Sequence, residues 1–478
     1  MALGAVARYW QTVRHLKPGQ ILGRLRFRLI RPRTDGRPAP PRRPQSGWIA
    51  AAERAPSLVG PTCFSFLNEI RDLSQTGWDD VRVSKLWRYH LHYFDDCNAD
   101  GAENRAVWHD ILIDRWVREH LPASGTGWEP YPTSLRIVNW IKRDWQGRRL
   151  SPGALHSLAI QTRSLAGRLE THLLGNHLFA NAKALVFAGL FFEGPESSRW
   201  LRKGLKVLAD QLPEQILADG GQFERSPMYH ALALEDLLDL CNAAATGANA
   251  FPAEWRAFAA SWRDTVGPMR RWLAAMCHPD GEIGHFNDSA FGVAPSPAEL
   301  DRYAVRLEFP SIAEGAPVLA LRDSGYLRVE LGPVVAILDV GPVGPDYLPA
   351  HAHADTLSFE VSVHGHRLMV NSGTSLYAAS PERLRQRGTA AHNTVVVNGQ
   401  DSSEVWSAFR VARRARPMGL EVVGGDRPTV RCAHDGYRRL QGGPVHQRTW
   451  RFEPGALTVV DRVEGSFDLA QVVDDVGD

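Results

Sequence analysis

The 478-residue sequence has little of what defines several protein classes. It contains only five cysteines, none of them in a C-x-x-C pair, which argues against a thiolate zinc site and against a disulfide framework. Charge of one sign is not in excess either, because 55 Lys and Arg stand against 53 Asp and Glu. The resulting net charge of +2 gives no support for a nucleic-acid partner.

Long apolar runs are also missing. The N-terminus lacks the apolar segment of a secretory signal. The most apolar stretch, 178–192, is interrupted by Asn181 and Lys183 and is shorter than the about 20 apolar residues that a membrane-spanning helix needs. The sequence therefore predicts no transmembrane segment and a cytoplasmic protein, with a periplasmic location as the alternative.

Residues 1–60 combine a short helical start with a Pro/Arg-rich stretch, and we predict that they form an arm or linker. Positions 24–43 carry many arginines and almost no acids. This pattern is typical of a solvated basic arm. The alternative is attraction to acidic glycans or to an anionic membrane surface.

The remaining chain changes its hydrophobic period once. Residues 61–314 have apolar residues at i, i+3, i+4 and i+7, as in the run from Leu234, which predicts helices. From 315–478 the pattern alternates, as in Leu357–Val363, and Asn398-Gly399 predicts a hairpin turn. Helices followed by strands indicate two separate domains, and a strand-like pattern that ends in acids leaves open a truncated second domain.

Gly175-Asn176-His177 opens the apolar stretch and is the first candidate for a functional motif. Asn176 stands where a helix would begin, so a helix N-cap is one interpretation. The other is that its amide NH₂ donates to a substrate carboxylate without competing for protons.

The segment Glu224–His230 is the second candidate. Ser226 followed by Pro227 predicts a helix start, which places Tyr229 in the first turn. The positive end of the helix dipole favours an anion there, so Tyr229 is a candidate base. A tyrosine packed at a helix entrance is the equal alternative.

Three histidines and an aspartate form the third candidate: His351, His353 and Asp355 in an H-x-H-x-D element, and His392 downstream. On a strand, His351 and His353 would face the same way, whereas a loop would leave their directions open. A metal site would use His353 and His392, with Asn371 as a poor third ligand and Asp355 as an orienting carboxylate. Hydrogen-bonded structural histidines are the alternative.

The polar loop 280–289 lies near the domain junction, where clefts often form, and we interpret it as cleft lining or as a structural turn. Arginines before Gly388 are either cations for an acidic polymer or part of a solvated face. We expect four residues to contact substrate: Glu224, His230, Asp288 and Arg387.

Taken in order, these motifs resemble the heparinase II/III-like polysaccharide lyases over roughly residues 80–465. The motifs that carry the resemblance are Asn176-His177, Tyr229-His230, the H-x-H-x-D-x-L-S-F element from His351 to Phe359, and His392-Asn393-Thr394. The resemblance implies an incomplete α/α toroid followed by an antiparallel β-sandwich.

The resemblance also implies β-elimination at a uronic acid. Asn176 and His177 would mask the substrate carboxylate, Tyr229 would remove the C5 proton and return one to the leaving oxygen, and His351 matches the catalytic histidine. His353 and His392 match positions that bind a structural zinc in some relatives. Those relatives carry an aspartate where this chain has Asn371.

We therefore predict a lyase that cleaves an acidic bacterial polysaccharide or oligosaccharide. It would require no cofactor, with a structural zinc as the alternative, and its oligomeric state is open. One alternative function is glycoside hydrolysis, for which Glu224, Asp288 and Asp355 are the candidate carboxylates. The other is a non-catalytic glycan-binding or assembly factor.

Overall fold

The computed structural model describes residues 2–30, 34–313 and 315–474. Arg31 and Arg33 of the basic stretch, the predicted boundary at residue 314 and the acidic end 475–478 lie outside the described residues. None of the helices in the described ranges combines the length and the apolar character needed to cross a membrane.

The α-helices are numbered in chain order. They are α1 (Ala2–Val13), α2 (Pro18–Leu29), α3 (Leu73–Thr76), α4 (Lys85–Tyr93), α5 (Ala106–Glu119), α6 (Pro130–Trp145), α7 (Pro152–Gly167), α8 (Gly175–Phe191), α9 (Pro195–Gln215), α10 (Pro227–Thr246), α11 (Arg256–Ala275), α12 (Pro297–Arg306) and α13 (Pro381–Arg387).

The β-strands are numbered in the same way. They are β1 (Cys63–Phe66), β2 (Glu69–Asp72), β3 (Val318–Leu321), β4 (Tyr326–Leu331), β5 (Val334–Asp339), β6 (Phe359–Val363), β7 (His366–Met369), β8 (Val395–Val397), β9 (Val405–Trp406), β10 (Arg410–Val411), β11 (Pro417–Val423), β12 (Thr429–His434), β13 (Val445–Glu453), β14 (Ala456–Glu464) and β15 (Ala470–Val472).

A Ser-Pro pair starts four of the helices, α7, α10, α12 and α13. In each, the serine side chain accepts a hydrogen bond from a backbone N–H of the first turn, and proline occupies the first helical position. Proline suits this position because its missing N–H would have no intrahelical partner. The predicted start of α10 at Ser226-Pro227 is confirmed.

Helix α8 lies at the centre of the helical part and packs against α6, α9 and α10. All but two of its residues are buried, which explains why its sequence is apolar on every side. Large aromatic side chains fill the surrounding layer, and Trp116, Trp140 and Trp262 are fully buried. The 178–192 stretch is thus a core helix, as its length predicts.

The start of the region predicted to be helical forms a hairpin instead, because β1 and β2 pair antiparallel. The turn uses Leu67 and Asn68 in the left-handed region, at φ 54° and 60°. Phe64 and Phe66 alternate with polar residues, and Phe66 packs edge-on against Trp87 of α4. An alternating pattern this short is easily missed beside long helices.

Two antiparallel sheets pack face to face in the second half, as the change of period predicts. One has the order β3-β4-β5-β6-β7 and the other β11-β12-β13-β14. Their shared core joins Val329 and Phe359 of the first sheet to Trp450 and Phe452 of the second. Side chains interdigitate between two twisted sheets in this way in a β-sandwich.

The predicted turn at Asn398-Gly399 forms, with φ of 52° and 64°. It does not make a hairpin of two strands, because β8 pairs with β15 instead. After the turn, the chain does not run back along β8, because hydrogen bonds to side chains hold it elsewhere. The Ser402 N–H donates to Thr389 Oγ1 at 2.8 Å, and the Ala415 N–H donates to Ser403 Oγ at 2.9 Å.

Candidate active site

Strained backbone precedes three segments of the candidate site. Leu174, Arg225 and Asn287 adopt left-handed φ values of 63°, 60° and 54°, which non-glycine residues rarely adopt. Leu174 comes directly before α8 and Arg225 directly before the cap of α10. Residues held in such conformations cluster at functional sites, where the surrounding structure compensates their cost.

The loop Asn287–Ser289 fastens the start of α10 to the histidine-containing loop of the sandwich. Ser226 Oγ donates to the Asp288 carbonyl at 2.6 Å, and the Asp288 N–H donates to the His351 carbonyl at 3.0 Å. Asn287 Oδ1 accepts from the His353 N–H at 2.9 Å. The loop predicted to line the cleft is therefore the joint between the two domains.

This joint brings Tyr229 and His351 together although 122 positions separate them. Their rings stack with centroids 3.9 Å apart and planes inclined by 12°. The Tyr229 hydroxyl lies 3.1 Å from the Tyr377 hydroxyl, and the Tyr377 ring stacks on Phe409 at 5.9 Å. All four side chains are at least partly exposed, and we call the surface that they form where the two domains meet the groove.

Glu224 determines which ring nitrogen of His351 carries the proton. Its carboxylate is 2% exposed and bonds to Nδ1 of His351. A carboxylate accepts from an N–H, so Nδ1 carries the ring proton and Nε2 is left as a proton acceptor. Glu224, predicted to contact substrate, therefore orients an imidazole.

The first turn of α8 approaches the same carboxylate. Gly175 has φ 52°, and a Cβ there would lie 2.6 Å from Leu348 Cδ2 and 3.2 Å from Glu224 Oε1. Glycine adopts this left-handed φ without steric cost, and its missing Cβ leaves room for the Leu348 side chain and the Glu224 carboxylate. Asn176 is the next residue in this first turn and is partly exposed. The N-cap interpretation of Asn176 is wrong, because Leu174 is the cap.

His177 lies on the side of α8 that faces α6. Its ring stacks on Tyr131 at 4.3 Å, and its Nδ1 is 3.2 Å from Glu170 Oε1. Burial lowers the pKa of His177, but the nearby carboxylates, first of all Glu170, outweigh it and leave the pKa raised. His177 is therefore protonated to a greater extent than an ordinary histidine at the same pH.

The phenol form is favoured for Tyr229. Burial raises its pKa well above the ordinary value, and interaction with Tyr377 and with the Asp288 carboxylate raises it further. The groove therefore combines a neutral phenol that can donate a proton, an imidazole nitrogen that can accept one, and a second imidazole whose protonated form is stabilised.

Like Glu224, the other three residues predicted to contact substrate are buried and bonded internally. His230 Nδ1 accepts from the Gln222 N–H at 3.2 Å, and its Nε2 lies 2.9 Å from the Met269 carbonyl. Its ring packs on Trp272, and burial lowers its pKa to about 4. The prediction for His230 is wrong, because the His230 side chain points away from the Tyr229 side chain and is buried in the core.

Asp288 and Arg387 are structural as well, so both predictions are wrong. Asp288 accepts from Arg383 through both oxygens, at 2.5 and 2.7 Å, and lies 2.8 Å from His353 Nε2. Arg387 donates to the Ala352 carbonyl at 2.9 and 3.0 Å. Both hold the loop that carries His351.

His351 and His353 lie on this loop and not on a strand, so they point to different partners. The His353 ring centre is 5.2 Å from that of His392, whose Nδ1 is 3.2 Å from Asn371 Oδ1. His353 Nδ1 and His392 Nε2 are buried without a hydrogen-bond partner. Two free imidazole nitrogens offer a metal ion two ligands.

A third ligand is needed for a structural zinc, and the set does not supply one. Within the described ranges, no three His, Cys, Asp or Glu side chains are placed so that they could hold a metal ion. Asn371 contributes a neutral amide whose oxygen already faces His392. The residues present therefore do not fit a structural zinc.

Sequence reasoning missed four residues of the groove, which are Tyr131, Glu170, Tyr377 and Phe409. Tyr131 directly follows Pro130 at the start of α6, so it lies in the first turn of a helix that begins with proline, as Tyr229 does. The other three have no comparable signal. Their roles depend on which element they pack against.

The comparisons with known proteins agree with this architecture. A family model described as heparinase II/III N-terminus matches residues 112–304, and one described as heparinase II/III-like, C-terminal matches residues 313–470. The structure titled heparinase III has a TM-score of 0.58 at 18% identity, covering 80% of this chain and 62% of its own. The predicted fold, an incomplete α/α toroid followed by an antiparallel β-sandwich, is confirmed.

Two heparin-sulfate lyases are similar in sequence. That of Bacteroides stercoris is 25% identical over 414 residues, which cover 81% of this chain and 56% of the relative. That of Pedobacter heparinus is 27% identical over 422 residues, which cover 81% and 57%. The chain thus spans little more than half the length of these relatives. With both halves of the chain matched by its models, the protein belongs to the heparinase II/III-like family.

Proposed function

We propose that the protein is a polysaccharide lyase that cleaves an acidic, uronic-acid-containing polysaccharide by β-elimination. The observation that carries this proposal is the stacked Tyr229–His351 pair, with Glu224 behind the imidazole and with Asn176 and His177 at the adjacent helix start. The activity named for the two heparin-sulfate lyases gives further support.

The first task of the site is to mask the substrate carboxylate. A carboxylate beside C5 opposes removal of the C5 proton, because the resulting carbanion places a second negative charge next to the first. The Asn176 amide donates hydrogen bonds, and cationic His177 supplies a positive charge. Together they stabilise the dianionic state that develops when the proton leaves.

The second task is to move two protons. His351 Nε2 takes the C5 proton, the C–H electron pair forms the C4–C5 double bond, and the C4–O4 bond breaks. Tyr229 gives its phenolic proton to the departing O4. The raised pKa of Tyr229 assigns it the acid role. This differs from the expectation that Tyr229 both removes and returns a proton.

Net return of one proton from the imidazole to the phenol completes the cycle. After the reaction the imidazole carries an extra proton and the phenol has lost one, and the two rings are 3.9 Å apart. The Glu224 carboxylate stabilises the imidazolium, and return of its proton to the phenolate restores the resting forms.

Hydrolysis is not supported by the carboxylates considered for it. An exposed acid and base pair would be needed. Glu224 is bonded to His351, Asp288 is bonded to Arg383, and Asp355 is 2% exposed. Each of the three carboxylates is thus buried, and none is placed to activate a water in the groove.

Tyr229→Phe removes the phenolic proton and little else. With a panel of uronate polymers, we expect the wild-type protein to form a 4,5-unsaturated product that absorbs in the near ultraviolet. The variant should lose about 10²- to 10⁴-fold in kcat, because proton transfer to O4 is lost. Tyr9→Phe, on α1, is the matched control and should keep full activity. A new reducing end without the absorbing product would instead indicate hydrolysis.

Glu224→Gln tests the role of His351 as base. The glutamine amide can donate to Nδ1, which moves the ring proton to Nε2 and removes the acceptor. We expect kcat to fall by about 10²- to 10⁴-fold while KM and the thermal midpoint change little. Glu214→Gln, which alters a carboxylate bonded to Lys17 and Tyr347, is the control. Unchanged kcat in Glu224→Gln would exclude this assignment.

The charge of His177 should make substrate binding depend on pH. Its pKa is raised, so the cation is fully present below the ordinary value of 6.5 and is lost as pH rises through the raised pKa. We expect KM to increase toward alkaline pH in the wild type. In His177→Gln, KM should be about tenfold higher at low pH and should no longer vary over this range. The same pH profile in both proteins would contradict this.

We also propose that the protein requires no cofactor and that the cluster around His353 is stabilised without zinc. Burial lowers the pKa of both His353 and His392, so both rings are neutral and are held by Asp288 and Asn371. A zinc ion would need a negatively charged third ligand, and the neutral side chain of Asn371 does not provide it.

Metal analysis of protein that has been incubated with zinc and desalted tests this. We expect much less than one equivalent in the wild type. Asn371→Asp supplies the missing carboxylate and should raise the zinc content toward one equivalent. Asn371→Ser is the control. One equivalent in the wild type, lost in His353→Ala, would contradict the proposal.

A further inference from the structure

The N-terminal helices expose apolar side chains that the rest of the structure leaves uncovered. Residues 6–30 expose more large apolar side chains than any other stretch of equal length among the described residues. They are Val6, Tyr9, Trp10, Val13, Ile21, Leu22, Leu25, Leu29 and Ile30, with Leu29 reaching 81% exposure. Single exposed leucines are ordinary, but a contiguous set indicates a binding surface.

Helix α2 presents two opposite faces. Gln20, Gly23 and Phe27 face the protein: Gln20 Nε2 donates to the Tyr347 carbonyl at 3.3 Å, and the Phe27 ring packs on His172 at 4.3 Å. Directly opposite, at i, i+3 and i+7, lies the exposed stripe of Leu22, Leu25 and Leu29.

Arginines flank this stripe on both sides. At 100° per residue, Arg24 and Arg28 fall on one border of the leucine stripe and Arg26 falls on the other. All three are exposed. Long basic side chains on such borders can lie along an apolar surface and reach a charged layer with their head groups.

Helix α1, like α2, has one face attached to the protein and one exposed apolar face, but it is attached through Trp406. Trp406 Nε1 donates to Thr12 Oγ1 at 3.1 Å, and the Tyr9 ring packs edge-on against Trp406 at 4.9 Å. Val6, Trp10 and Val13, at i, i+4 and i+7, form a second stripe with 67%, 63% and 42% exposure.

The positive charge of residues 2–34 indicates which kind of partner the exposed apolar surface binds. The first acidic residue of the chain is Asp35, so residues 2–34 carry only positive charge. The described basic residues here are Arg8, Arg14, Lys17, Arg24, Arg26 and Arg28. Such a surface repels a second copy of itself, and an acidic polysaccharide would bind the arginines but leave the leucines in water.

We propose that α1 and α2 bind the surface of an anionic phospholipid bilayer. Each helix has 12 residues and spans about 18 Å, less than the about 30 Å hydrocarbon core, so the helices lie in the plane of the interface. Leucine, valine and tryptophan side chains enter the acyl boundary, and the arginines meet lipid phosphates. This inference is independent of the proposed lyase activity.

The attachment of these helices makes them a fixed anchor. Lys17, between them, pairs with Glu214 of the helical domain and lies 3.8 Å from the ring centre of Tyr347 in the sandwich domain. With α1 on Trp406 and α2 on His172, the two helices contact both domains. Lipid binding would hold the body of the protein at the membrane surface.

Co-sedimentation of the full chain with vesicles tests the proposal. We expect wild-type protein to bind vesicles containing phosphatidylglycerol and to bind pure phosphatidylcholine about tenfold less. Leu25→Gln/Leu29→Gln should reduce binding to the anionic vesicles about tenfold or more. Arg24→Gln/Arg28→Gln should reduce binding and weaken its dependence on salt.

Val81→Gln/Val107→Gln is the matched control, because it alters equally exposed apolar side chains elsewhere, at 84% and 68% exposure. It should bind vesicles like the wild type. Circular dichroism and thermal unfolding should be unchanged in all variants. Equal vesicle binding by the wild type and the leucine variant would overturn the proposal. So would a concentration-dependent dimer that the leucine variant abolishes, or arginine-dependent binding to acidic polysaccharide alone.

Discussion

The position of the groove depends on a short set of hydrogen bonds made by Asn287, Asp288 and Ser289. Through backbone groups they connect the cap of α10 to the loop of His351, so a helix from one domain and a loop from the other share one fixed joint. Backbone hydrogen bonds are insensitive to most substitutions, whereas Asn287 adds three side-chain hydrogen bonds and a left-handed φ. The stacking of Tyr229 on His351 follows from this joint.

Burial assigns chemical roles to the groups that meet there. Tyr229 is kept as a phenol because burial raises its pKa, and its neighbours Tyr377 and Asp288 also oppose a phenolate. The cationic form of His177 is stabilised because nearby carboxylates, first of all Glu170, outweigh the effect of burial on its pKa. The environments of the two histidines thus give them different roles, His351 as base and His177 as the group that masks charge.

The order of the domains and the start of α10 could be predicted from the sequence because both rest on local rules. Hydrophobic period distinguishes helices from strands, and Ser-Pro defines a helix start through hydrogen bonds within four residues. The family motifs located Tyr229 and His351. The order of the strands within each sheet was not predicted.

The errors share one cause, which is that burial is a tertiary property. His230 follows Tyr229 directly and yet faces the core, because successive helical residues point about 100° apart. Arg387 looks like a solvated cation in sequence but donates to the Ala352 carbonyl inside the sandwich domain. Asn176 is not the helix cap, because the cap is Leu174. The sequence does not signal the left-handed conformation that Leu174 adopts there.

Gly175 shows how little room the chain has at this place. Its bare Cα lets the first turn of α8 approach the carboxylate behind His351, and a methyl group would collide with Leu348. Backbone freedom and side-chain volume are therefore both constrained at one position. Any other residue at position 175 would have to hold the left-handed φ and displace the Leu348 side chain, so this position shapes the site although glycine has no group that could take part in a reaction.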